Sequence, residues 1–332
     1  MPFSYENFRA EIMVKHYWKT AALLAGCAWH PLALGCSSCG CTLNSDWSSQ
    51  GYTTAAGWHI DTRYDYFDQS QLRSGTRGVS RSDITLPAEQ EIQNDTINRN
   101  FTVGMDYSPS REWGVSLLIP WFDRPHSTYD EGETELSSSH SRGPGDVRII
   151  GRYQGFQPDL SIGVQFGLKL PTGRIGDTFD SGPLAGQTVD RGLQLGTGTT
   201  DLLLGVYSVR ALGASFAWFG NLMLQQPLNS REQFKPGAGL NLTLGLRYTG
   251  ILPATLSPQL QLNVRAEKRE SGANADVENS GATLAYLSPG VGFKLTQRLD
   301  GFAFVQVPVY QRVNGLQLQP RFFSSVGFRY RF

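Results

Sequence analysis

The sequence predicts an all-β fold, a closed antiparallel transmembrane β-barrel of about twelve strands. Three observations predict it. From Gly57 onward, apolar and polar residues alternate in runs close to the length a tilted strand needs to cross a bilayer, roughly ten residues. The connections between runs alternate between short and long. The chain ends on Val326, Phe328, Tyr330 and Phe332, an alternating apolar series closed by an aromatic residue. The physical logic is closure: lipid offers no water to backbone groups, so a strand in it must be paired on both edges.

Each run shows one apolar and one polar face. In GWHIDTRYDYF, Trp58, Ile60, Tyr64 and Tyr66 alternate with His59, Asp61, Arg63 and Asp65. FTVGMDY sets Phe101, Val103, Met105 and Tyr107 against Thr102, Gly104 and Asp106. EWGVSLLIPWF carries Trp113, Val115, Leu117, Ile119 and Trp121 on one face. LSIGVQFGLKL and AGLNLTLGLRY repeat the device, with Lys169 and Arg247 on their polar faces. This is the period of a half-apolar strand. Short turns are expected at Ser108–Arg111, Gln157–Asp159, Ala211–Gly213, Gly250–Pro258 and Thr296–Asp300. Long polar loops are expected near 68–96, 123–145, 171–198, 227–236, 269–280 and 311–319. An even strand count places both barrel ends and the short turns on the periplasmic side, with the long loops outside. A soluble sandwich would not pair short and long connections so regularly, nor place Trp and Tyr at strand ends as aromatic girdles.

Composition agrees. The chain carries 29 basic and 29 acidic residues, which argues against a nucleic-acid partner. The 37 glycines and 11% aromatic residues favour strands and turns. No apolar run of about 18 residues predicts a membrane-crossing helix. Residues 1–35 read as a secretory signal: Lys15, His16 and Lys19 precede the apolar run TAALLAGCAW, and Ala33-Leu34-Gly35 supplies small residues for cleavage. Glu6 and Glu11 fit poorly ahead of it, and a start at Met13 would remove them. Cleavage after Gly35 leaves a periplasmic leader, 36–56, before the barrel, 57–332. That leader holds Cys36, Cys39 and Cys41. Three readings stay open for them: a disulfide or a contact with a periplasmic protein, a Cu or Zn site with redox capacity, or a lipid on Cys36. No haem attachment pattern is present, since Cys39 is followed by Gly40 and Cys41.

The segment FGLKLPTGRIGDTFDSGP…LQLGTGTTDLLLG, Phe166 to Gly205, resembles a family of outer-membrane transporters associated with the meta-pathway of phenol degradation. The shared features are a strand ending in Lys169-Leu170-Pro171-Thr172-Gly173, a polar loop, and the turn Gly196-Thr197-Gly198-Thr199-Thr200-Asp201 entering the next strand. The resemblance implies an outer-membrane barrel in a Gram-negative bacterium that passes small solutes, including aromatic or apolar compounds. It implies no catalytic group. The terminal aromatic strand resembles the signal read by the barrel insertion machinery, so outer-membrane lipid and that machinery are the expected partners.

Charges facing lipid at mid-bilayer cost about 2–4 kcal/mol each for Lys or Arg. His59, Asp61, Arg63, Asp65, Arg148, Arg152, Lys169, Arg247, Arg265, Glu267, Arg321, Arg329 and Arg331 are therefore expected to point into the lumen, as a solute pathway or as ion pairs closing the interior. The loop Pro171 to Gly198, with Arg174, Asp177, Asp180, Asp190 and Arg191, reads either as a constriction folded inward or as a solvated loop. His126, Asp130, Glu131, Glu133, Glu135 and His140 form an acidic stretch that matches no metal-site spacing and reads as solvated. No Gly-x-Ser-x-Gly segment marks a nucleophile, and the chain is not expected to be an enzyme. The rival reading is a membrane anchor for a metal- or redox-handling cysteine site.

Overall fold

The computed structural model describes Trp47 and residues 55–250 and 255–332. Cys36, Cys39 and Cys41, with the expected signal and cleavage site, lie outside the described residues. The fold is all-β: β1 (Gly57–Gly75), β2 (Arg77–Gly78), β3 (Ile92–Ser108), β4 (Trp113–Tyr129), β5 (Leu136–Pro144), β6 (Val147–Tyr153), β7 (Ile162–Leu170), β8 (Asp201–Leu212), β9 (Phe216–Pro227), β10 (Gly239–Tyr248), β11 (Leu256–Glu267), β12 (Ala282–Lys294) and β13 (Leu299–Arg331). Eleven of these elements form a closed antiparallel ring, with β2 paired to β1 and β5 paired to β4 off its path. The ring closes where β13 meets β1, from His59 opposite Arg331 to Gly75 opposite Val313.

β13 is two passes of the wall. Its first part runs antiparallel to β12, from Asp300 opposite Lys294 to Val313 opposite Ala282. Its second part runs antiparallel to β1. The chain reverses at Asn314-Gly315, where Gly315 takes φ +57°, a left-handed conformation that favours glycine. An all-antiparallel ring needs an even number of passes, and the doubled β13 supplies it. β5 and β6 likewise form one interrupted pass: β4 pairs with β6 through Trp113–Leu118 and with β5 through Trp121–Tyr129. The wall is thus crossed twelve times.

The alternation becomes inside and outside. Trp58, Phe101, Met105, Val115, Phe166, Leu204, Leu244 and Leu260 are exposed on the outer face, while His59, Asp65, Asn100, Asp106, Gln165 and Thr243 are buried. Aromatic pairs rim the short-turn end: Trp58 on Tyr107, Trp113 on Tyr153 and Phe216 on Tyr248, with ring centres 4.6, 4.6 and 4.9 Å apart. Each pair sits directly across neighbouring strands, where amphipathic rings are favoured at a bilayer interface.

Two features depart from the sequence reading. β1, β3 and β4 run 19, 17 and 17 residues, well past the apolar belt. Strand therefore extends into both ends of the loops expected near 68–96 and 123–145, leaving 79–91 and 130–135 between strands, because polar residues keep pairing above the lipid. The loop expected near 311–319 is the tight reversal of β13. The wall is also uneven. Above Pro120, β5 pairs with β4 on one edge, while its other edge meets a loop through the bridge Ser138 to Ser181.

Candidate functional site

The inward face encloses a cavity of about 230 Å³, open at its mouth. Its wall includes Asp61, Arg63, Arg148, Arg152, Lys169, Arg265, Glu267 and Arg329. Strand alternation positions these side chains, and ion pairs across and along strands neutralise most of them. Arg329 donates to both oxygens of Asp61, each at 2.6 Å. Arg63 donates to Asp65 at 2.7 Å. Arg152 grips Asp106 with two nitrogens, and His59 Nδ1 lies 3.3 Å from the same carboxylate. Arg265 pairs with Glu267 two residues along its own strand. A charge taken from water this way requires its partner, because an unpaired one costs several kcal/mol.

Five expected lumen residues lie apart from the cavity lining. His59 and Asp65 are fully buried beneath it. Arg331 pairs with Asp300 at 2.9 Å, close to the end of the last strand. Arg247 follows the inward phase of buried Asn241 and Thr243 on β10. Arg321 differs in direction. Phe67 pairs with Phe323 and Gln69 with Pro320, so two residues of β13 oppose Asp68 alone. That bulge turns Arg321 and Phe322 outward, and both are exposed. A bulge shifts the period by one, which alternation counting does not detect.

The family-like motif forms a weld. Lys169 Nζ donates to Asp146 at 3.0 Å and lies 3.2 Å from Asp201, with all three nearly inaccessible. Asp146 also accepts from the N–H groups of Gly173 and Thr197, each at 3.0 Å. The Lys-Leu-Pro-Thr-Gly strand end and the Gly-Thr-Gly-Thr-Thr-Asp turn are thus tied to the break between β5 and β6. Sequence reasoning missed Asp146, whose one signal is a carboxylate directly after Gly143-Pro144-Gly145.

The loop at 171–200 folds inward. Phe179, Leu184, Val189 and Leu193 make a buried apolar cluster. Gly192, Gln194, Leu195 and Thr197 line the cavity. Buried Arg124 holds this turn, donating to Asn98 at 2.8 Å and to the carbonyls of Gly192 and Gln194 at 3.4 and 3.3 Å. Arg124 was also missed, since its segment read as loop. Beside the charges, Ile150, Leu203, Met223 and Leu118 form an inward apolar patch. Trp47 reaches the same space. Its ring meets Phe302 edge-on at 5.1 Å, and Arg329 lies 5.1 Å from its centre.

Where the loops meet, Glu91 accepts a hydrogen bond from Thr128 at 2.6 Å. Burial, followed by the neighbouring carboxylate of Asp190, pushes the Glu91 carboxyl up to about 8. Burial and Asp276 push Asp190 up to about 6. The acidic stretch does not converge: His126 is buried on the inner face of β4, while His140 is exposed on the outer face of β5. Among the described residues, no group of three His, Cys, Asp or Glu side chains could hold a metal.

No protein-family model matches the chain, and no curated protein matches it. Solved structures do. An outer-membrane channel from Pseudomonas putida F1 aligns at TM-score 0.64 and 12% identity, covering 87% of this chain and all (100%) of that one. This likeness shows the fold: the chain closes into the same kind of antiparallel β-barrel. The translocator domain of the autotransporter NalP from Neisseria meningitidis aligns at TM-score 0.46 and 11% identity over 86% of this chain and 92% of that one. The toluene transporter TbuX of Ralstonia pickettii aligns at 0.44 and 8% over 84% and 90%.

Proposed function

We propose that the chain is an outer-membrane channel of a Gram-negative bacterium, passing small solutes that carry an apolar or aromatic part. The observation that carries this reading is the mixed lining of the cavity. Paired charges such as Arg329–Asp61 and Arg152–Asp106 lie beside the apolar patch of Leu118, Ile150, Leu203 and Met223. An interior serving only to close the barrel would be filled by side chains, whereas this one retains a cavity of about 230 Å³. Pockets that bind small organic molecules combine apolar walls with a few placed polar groups. The inward turn at 191–197 narrows the path, so large hydrophilic solutes are excluded by size.

Liposome swelling with the full chain tests this. Small aromatic acids are expected to enter faster than disaccharides. Met223→Trp, which fills the apolar patch, slows the aromatic acids most while preserving the heat-sensitive gel mobility of a folded barrel. Liposomes that stay silent to every solute, together with a flat conductance trace in planar bilayers, would sink the reading.

A further inference from the structure

Above the apolar belt, the outer face of the wall carries a charged rung that the solute path does not use. Cross-strand register sets Tyr64, Phe101, Trp121 and Pro144 in one row across β1, β3, β4 and β5. The next row outward is Tyr66, Arg99, Asp123 and Arg142. Phe101 and Trp121 are exposed at 41% and 44%. The following row brings His140, opposite Pro125. Asp123 gathers three basic side chains: Arg99 at 3.2 Å, His140 at 3.0 Å and Arg142 at 3.9 Å. One carboxylate therefore faces two guanidinium groups and an imidazole, with side-chain exposures of 42%, 65% and 49%.

We propose that this rung binds a phosphate on the headgroup of an outer-leaflet lipid. The bland alternative is a solvated surface ion cluster, and such pairs are worth little. Three observations favour the lipid. The rung stands directly above an apolar row, the height at which acyl chains end and headgroups begin. Its charge is in positive excess, so Asp123 orients the donors without neutralising them. Arginine forks recognise phosphate oxygens through parallel charge-assisted hydrogen bonds, and two forks flank one strand here. A phosphate held outside Asp123 takes the guanidinium N–H groups directed away from it.

Native mass spectrometry of the full chain in an uncharged maltoside detergent tests the proposal. The probes are bisphosphorylated lipid A, the same lipid dephosphorylated, and inorganic phosphate. The phosphorylated lipid is expected to bind, with the dephosphorylated form about tenfold or more weaker, a comparison that needs no variant. Arg99→Gln combined with Arg142→Gln removes that advantage, and His140→Gln lowers it partially. Arg210→Gln, an exposed arginine next to the short turn at 213–215 and bonded to Gln157, leaves binding unchanged. Equal binding of both lipids, full binding by the double variant, or an equal loss in Arg210→Gln overturns it. So does displacement of the lipid by inorganic phosphate at the same concentration, which would mark a free-anion site.

Discussion

Two stretches of the wall are built to different heights. β1, β3 and β4 rise through 19, 17 and 17 residues, while β7 and β10 stop after 9 and 10. Within the belt, both stretches obey one rule: apolar side chains face lipid, polar ones face inward, and the backbone is paired throughout. Above it they diverge. The tall side continues as a ladder polar on both faces, with Arg99, Asp123 and Arg142 outward and Asn98, Arg124 and His126 inward. The short side gives way to loops, one of which folds over the cavity and is held by Lys169, Asp146 and Arg124. The membrane thus sets where apolar alternation must hold, and pairing alone sets how far a strand continues.

The strongest test places one change in both settings. Leu204→Pro, on the lipid face of β8, removes a backbone donor where no water can replace it, at a cost of several kcal/mol. Inserted, heat-sensitive barrel should be lost. Ser139→Pro, in the part of β5 above the belt, should leave insertion intact and expose only the upper strand to protease, since the broken ladder there lies outside the lipid. Equal failure of the two would mean the belt extends higher than assigned.

Lys169→Met comes next. It leaves Asp146 and Asp201 facing each other without their cation, a loss of about 3–5 kcal/mol. Urea unfolding in vesicles should show it, together with faster proteolysis within 171–200. A loss under about 1 kcal/mol would remove the weld from the account.

The belt's upper limit can be located along a single strand. Val103→Lys should cost about 2–4 kcal/mol and Ile97→Lys about 0–1, because the penalty fades toward the interface. The measurement is the same unfolding midpoint, and similar costs would erase the boundary between the two rows.

The smallest effect concerns the place where tall and short sides meet. Glu91 has its carboxyl raised to about 8 by burial and Asp190, so the folded loops favour its protonated form. Its stabilisation is complete below the ordinary carboxylate range and declines as pH rises toward about 8. Amide exchange of the loops should quicken over that interval, and Glu91→Gln should flatten the dependence. Unchanged exchange from pH 5 to 8 would show that Glu91 does not titrate there.

Much of this could be read from the chain. Alternation around Trp58, Leu244 and Phe328 specified lipid-facing strands, and closure followed because lipid satisfies no backbone group. Lumen charges such as Asp61, Arg152 and Lys169 were legible for the same reason, since each had to avoid lipid. Beyond the membrane that constraint lapses. Polar residues then pair as strand or run as loop with equal ease, so the heights of β1, β3 and β4 and the tight reversal at Gly315 left no periodic mark. Nor did the bulge that turns Arg321 out, the ties between Asp146 and the residues around it, or the entry of Trp47 against Phe302. Those are contacts between segments distant in sequence, and they form only once the ring has closed and brought them within reach.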